Sequence, residues 1–167
     1  MRDSPEEIPQ SVRDRQSDQY KSMDKQMKKL QILLVEDNEG DILLTTEALE
    51  SMKIENEIKV VKTGKEAIDY MTKSGNYTEI ELPDLVLLDI NLPVKNGFEV
   101  LEEIKSNEKT KNIPVIMLTT SSSKTDQEAS NRLRADLFIT KPIDMHKYEV
   151  VINLIEDFWL SFDRALN

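Results

Sequence analysis

The chain of 167 residues has no cysteine and a single histidine, His146. Disulfides and thiolate metal sites are therefore excluded. One histidine cannot build a catalytic triad or a histidine metal site, and His146 reads as an exposed helix residue. The four glycines, Gly40, Gly64, Gly75 and Gly97, form neither a GxGxxG fingerprint nor a P-loop, so no nucleotide-binding motif is present. No apolar run approaches the roughly 18 residues of a membrane span, and no secretory leader is visible. A cytoplasmic protein without a membrane partner is expected.

Basic residues are also short. The formal net charge is −10, and it is uneven. Residues 1–29 carry 7 basic and 6 acidic groups, which leaves 15 basic against 26 acidic in the rest. An acidic globule does not attract nucleic acid by bulk electrostatics, so direct nucleic-acid binding is not expected. Residues 1–29 are polar with scattered apolar positions and read as a disordered arm. Residues 30–167 form the domain, with an extended last helix.

What is present from residue 30 is alternation. Apolar runs at Ile32–Val35, Ile58–Val61, Leu85–Leu88, Val115–Leu118 and Leu137–Ile139 are too short for helices. Their Val, Ile and Leu content suits strands buried on both faces. Amphipathic segments lie between them, carried by Ile42 to Met52, Ala67 to Met71, Phe98 to Ile104, residues 124–134, and Met145 to Leu166. Thr125 and Glu128 are spaced as a capping box, and Asp144 is an N-cap candidate. Five strands alternating with five helices predict an α/β fold. Right-handed crossovers favour a doubly wound, five-stranded parallel sheet of order 2-1-3-4-5, which is flavodoxin-like.

The strand ends carry the chemistry. The first strand runs into Glu36 and Asp37, and the third into Asp89. In that strand order the first and third strands are neighbours at the switch point, where such sheets bind ligands. Solvated strand-end charges are the plain reading of Glu36 and Asp37 alone. Three converging carboxylates, however, need protons or a cation. Two unit charges about 4 Å apart repel by roughly 4 kcal/mol at an effective dielectric near 20. Oxygen-only ligands favour a hard ion, and Mg2+ suits carboxylates, water and phosphate. Thr119 is the first polar residue after the fourth run and can donate to an oxyanion, although it can also cap a helix. Lys141 follows the fifth run and supplies a cation, although Lys141–Pro142 also suits a plain turn. Carboxylates, a metal, a hydroxyl and an ammonium suit phosphoryl transfer, with Asp89 as the carboxylate nucleophile.

The pieces "LLVEDN", "DLVLLDINLPVKNGFEVL", "IPVIMLTTS" and "FITKP" occur in this order, and from about Gln31 to Leu160 the chain resembles a response-regulator receiver domain of two-component signalling. The resemblance implies that Asp89 is the phosphoacceptor. It implies that Asp37, Asp89 and the Asn91 carbonyl bind Mg2+, with Glu36 acting through a water. It assigns Thr119 and Lys141 to the phosphoryl oxygens, Phe138 to an aromatic switch that moves with Thr119, and a cis bond to Lys141–Pro142. From the residues alone Phe138 reads as core. Two departures stand out: Glu36 replaces the more usual Asp and should place its carboxylate further out, and Arg134 stands where a Gly is common. The long "SGNYTEIELPD" connection and "EDFWL" look most like regulators that partner phytochrome-type histidine kinases.

Such a protein signals: it takes a phosphoryl group from a sensor histidine kinase, catalyses transfer to itself and slow hydrolysis, and is not otherwise an enzyme. An aspartate-nucleophile phosphatase would want an Asp two residues after the nucleophile; Asn91 cannot donate that proton. A phosphorylation-independent interaction module is the other alternative. The last helix carries Tyr148, Val151, Ile152, Ile155, Trp159 and Phe162 in one stripe, enough to dock it. Val150, Leu154 and Phe158 add apolar surface. That surface is either a wide core-facing stripe or an interface around Phe158 and Trp159, for an unknown output protein or a second copy of the chain.

Overall fold

A computed structural model describes residues 28–167, so the arm reading of residues 1–29 lies almost wholly outside the described residues. The strands are β1 (Leu30–Val35), β2 (Asn56–Val61), β3 (Leu85–Leu88), β4 (Val115–Thr119) and β5 (Leu137–Thr140). All pair in parallel, in the order β2-β1-β3-β4-β5. The helices are α1 (Glu39–Glu50), α2 (Gly64–Met71), α3 (Gly97–Ser106), α4 (Lys124–Arg132) and α5 (Tyr148–Leu166). The expected doubly wound sheet is the observed one.

Each sheet face has its own core, because successive strand side chains point to opposite faces. One face packs Leu33, Val35, Val86, Leu88 and Met117 against α2 and α3. The other packs Ile32, Leu34, Leu85, Leu87 and Leu118 against α1 and α5. The β3 run is buried throughout, as a central parallel strand requires. The run at Ile58–Val61 is not, because β2 is an edge strand: exposed Glu57 and Lys59 alternate with half-buried Ile58 and Val60.

Local signals place most helix starts. Asn38, Thr63 and Asn96 cap α1, α2 and α3 by accepting from the backbone N–H three residues on. At α3 the cap is reciprocal, since the Glu99 carboxylate accepts from Asn96 N–H at 2.9 Å. For α4 the expected Thr125/Glu128 box is wrong. Ser123 is the cap, and its hydroxyl accepts from Asp126 N–H at 3.3 Å. Ser123 has the extended backbone a cap needs, whereas Thr125 already lies inside the helix. Asp144 caps a short 3-10 turn, Met145–Lys147, which leads directly into α5.

Arg134 keeps the geometry that a glycine would supply. Its φ is +66°, in the left-handed region. The Arg134 guanidinium donates to the Lys105 carbonyl at the end of α3, at 2.9 Å, which offsets part of the conformational cost.

Candidate functional site

The register of β1 and β3 brings the acidic residues together. Val35 pairs with Leu88, and Asp89 N–H donates to the Val35 carbonyl at 3.1 Å. Glu36 and Asp37 leave β1 as Asp89 leaves β3. One carboxylate oxygen from each of Glu36, Asp37 and Asp89 lies within 4.8 Å of the others. Glu36 and Asp89 are buried and Asp37 is exposed, so the group opens to solvent on one side. Asn91 is exposed two residues further on, and its carbonyl takes no hydrogen bond among the described residues.

Lys141 closes the other side. Its side chain is 2% exposed, and its ammonium is ion-paired with Glu36. It lies 3.2 Å from Asp41 Oδ2 and 3.7 Å from Asp89 Oδ2. Backbone pairing fixes its base, because Lys141 N–H donates to the Thr119 carbonyl at 2.7 Å. The expected cis bond is absent: every peptide bond among the described residues is trans, Lys141–Pro142 included. The long Lys141 stem reaches inward because three carboxylates draw its ammonium.

Glu36 did not simply extend outward, as its length suggested. One oxygen accepts from Asn38 N–H at 3.1 Å and the other holds Lys141. Burial pushes the Glu36 carboxyl up, against the pull of Lys141 and with Asp89 adding repulsion. Burial acts to lower the Lys141 ammonium, but contact with Glu36, Asp89 and Asp41 outweighs it, so Lys141 is raised. Burial thus decides the direction at Glu36, and the surrounding carboxylates decide it at Lys141. The Lys141 cation is held firmly charged.

Asp89 Oδ1 accepts from Ile90 N–H at 2.8 Å, which orients the carboxylate. Thr119 is fully buried at the end of β4, and its hydroxyl accepts from Ser121 N–H at 3.3 Å. Phe138 is half-buried in β5 and packs on the α2–α3 face. Phe158 and Trp159 pack on the opposite face. Phe138 and the last helix therefore lie on opposite sides of the sheet.

Sequence reasoning missed Asp41. It lies in the first turn of α1, four residues past Asp37 along the chain, and its side chain reaches back to the site. That spacing was the available signal. Its partner, Lys141, lies 100 residues away.

The chain is a doubly wound α/β domain with an acidic crevice at its switch point and a buried lysine facing it. The response regulator receiver domain family matches residues 32–153, and the chain belongs to this family. It is a response regulator of the two-component type. Response regulator Rcp1 of Synechocystis sp. is 40% identical over 130 residues, covering 78% of this chain and 88% of that one. The crystal structure of the phosphorylated cyanobacterial phytochrome response regulator RcpA is similar, with TM-score 0.75 and 42% identity over 80% of this chain and 96% of that one. The Mn2+-bound form of Rcp1 has TM-score 0.73 and 40% identity, covering 78% and 94%.

Proposed function

We propose that Asp89 is the phosphoacceptor of this response regulator, receiving its phosphoryl group from a sensor histidine kinase of the phytochrome type. The observation that carries this reading is the Asp89 carboxylate itself. It is oriented by Ile90 N–H, flanked by Glu36 and Asp37, and faced by the Lys141 ammonium. One Asp89 oxygen attacks phosphorus in line. The P–N bond to the donor histidine, or the P–O bond of a small acyl phosphate, breaks, and its electron pair leaves on the donor. Lys141 and the Thr119 hydroxyl then stand where the phosphoryl oxygens need positive charge and a donor. Water attack on the acyl phosphate gives the slow return to the free carboxylate.

The donor set fits a hard divalent cation. It is oxygen-only, it includes an exposed carboxylate, and its three negative charges exceed the single positive charge of Lys141. Asp37, Asp89 and the Asn91 carbonyl would hold Mg2+, with Glu36 acting through a water. When bound, the ion supplies charge neutralisation at the phosphoryl oxygens. Among the described residues no helix is long and apolar enough to cross a membrane, and we assign the protein to the cytoplasm, where a kinase would phosphorylate it.

The signal leaves through Thr119 and Phe138. Phosphorylation adds about one unit of negative charge. Thr119 moves toward it, and Phe138 turns into the space released, repacking the β5 edge. We place the output contact, with a partner protein or a second copy, on α5. Val150 and Leu154 are 60% and 45% exposed, while Phe158 and Trp159 are half-buried and serve the core as well. The interface is thus centred on Val150 and Leu154 more than on Phe158 and Trp159.

Mass spectrometry after incubation with acetyl phosphate and Mg2+ tests the site. Wild type should gain one phosphoryl mass, and Asp89→Asn should gain none. EDTA should stop the reaction. Full labelling of Asp89→Asn would overturn the assignment, and undiminished labelling in EDTA would remove the metal.

A further inference from the structure

Lys141 contacts one carboxylate that the phosphoacceptor reading leaves without a task. Asp41 Oδ2 lies 3.2 Å from the Lys141 ammonium, whereas Asp89 Oδ2 lies 3.7 Å away. The nearer distance is a charge-assisted hydrogen bond, and the longer one is beyond hydrogen-bond reach. In the unphosphorylated protein the ammonium therefore bonds Glu36 and Asp41 and faces Asp89 only as an ion. Asp41 also stands outside the group of three carboxylates whose oxygens lie within 4.8 Å of one another. It touches the site through Lys141, not through the metal-seeking cluster.

The two anchors of Lys141 are not equivalent. Glu36 is buried and also fixed by Asn38 N–H, so releasing it would strand a charge away from water. The Asp41 side chain is 28% exposed, and water can take over its hydrogen bond. When a phosphoryl group on Asp89 calls on the ammonium, Asp41 is the contact that can yield. Any stabilisation it gives the resting position of Lys141 is lost in the phosphorylated state.

We propose that Asp41 is a positioning residue that holds the Lys141 ammonium back from Asp89, and so sets how readily the site accepts a phosphoryl group. This rests on Asp89 being the phosphoacceptor. Asp41→Asn keeps the shape and the α1 backbone but removes the charge. Because the pair is partly exposed, the expected gain is about threefold to tenfold in the labelling rate, as for a partly screened charge-assisted hydrogen bond.

The test compares rates of phosphoryl mass gain from acetyl phosphate at fixed Mg2+. Wild type, Asp41→Asn, Asp41→Glu, Lys141→Ala and the double variant Asp41→Asn/Lys141→Ala are used. Asp41→Asn should label faster, Asp41→Glu should return to the wild-type rate, and the gain should vanish when Lys141 is absent. Mn2+ affinity should not rise in Asp41→Asn; a rise would assign the faster labelling to the metal and overturn the proposal. A wild-type rate in Asp41→Asn overturns the proposal. So does a gain that persists in full without Lys141, which would mean plain repulsion of the anionic donor. If wild type itself gains no mass, the phosphoacceptor reading has failed and this proposal falls with it. If wild type labels and Asp41→Asn is no faster, this proposal alone has failed.

Discussion

Gly97 lies against the backbone of Asp89 with no room for a side chain. A Cβ at Gly97 would stand 2.1 Å from the Asp89 carbonyl oxygen and 2.8 Å from Ile90 Cα. Gly97 N–H also donates to the Ile90 carbonyl at 2.8 Å, so α3 starts directly on the loop that carries the proposed phosphoacceptor. Both contacts are with backbone and cannot be relieved by turning a side chain. Gly97→Ala should therefore cost about 2–3 kcal/mol, as severe overpacking does, and should slow phosphoryl labelling of Asp89. Urea unfolding and the mass-gain rate check the two effects. A stable variant that labels normally would show that the loop is freer than this packing implies.

The Lys141–Glu36 pair predicts an inverse link between the lysine and the metal. Lys141→Ala leaves the buried Glu36 carboxylate without a counter-charge, and breaking such a pair costs about 3–5 kcal/mol. A divalent cation would replace the missing charge. The metal-free variant should be less stable than wild type, yet it should gain more melting temperature from Mn2+, because ligand affinity adds to stability. Phosphoryl labelling should weaken. Loss of metal affinity in Lys141→Ala would reverse the assigned roles.

Val94 holds a left-handed backbone, φ +70°, in the loop between β3 and α3. A β-branched residue is strained there. Its side chain is exposed and contributes no core packing. Val94→Asn should raise stability by roughly 0.5–1 kcal/mol, since Asn tolerates this region. The urea midpoint should move up with an unchanged slope.

Two phenols give a pH dependence of known sign. Burial pushes Tyr70 and Tyr148 above the ordinary value of 10.0. At Tyr148 the nearby Asp41 and Glu36 add to the rise, and Thr45 and Lys141 oppose it. Above pH 10.0 the folded protein holds protons that the unfolded chain releases. The contribution of these phenols is therefore full below that pH and is lost as pH rises through their folded values. Ultraviolet titration should show late phenolate formation, and Tyr148→Phe should remove one late step. A Tyr148 that titrates at the ordinary value would contradict its burial.

The exposed pair on α5 predicts an association. Val150→Ser/Leu154→Ser removes apolar surface without touching the core, unlike changes at Phe158 and Trp159, which pack on it. Sedimentation of phosphorylated wild type should show a dimer at high concentration, and the double variant should remain a monomer. A dimer that persists in the folded variant would place the contact elsewhere.

Much of this protein follows from its sequence alone. Strand identity does, because short runs such as Leu85–Leu88 can satisfy their backbone and bury both faces as interior strands of a covered sheet. The place of Asp89 also does, because a charge next to a buried run must leave the sheet at its end. What the tertiary structure decided are relationships across the fold. Asp41 meets Lys141, and Gly97 touches Asp89, only because the crossovers return to one end of the sheet. The side of the sheet that Phe138 takes depends on register, where one residue's shift exchanges the faces, and Phe158 takes the other side because α5 packs there. The Ser123 cap, the trans bond at Lys141 and the left-handed Arg134 were settled in the same way. Local preference allowed more than one choice at each position, and the surrounding chain selected one of them.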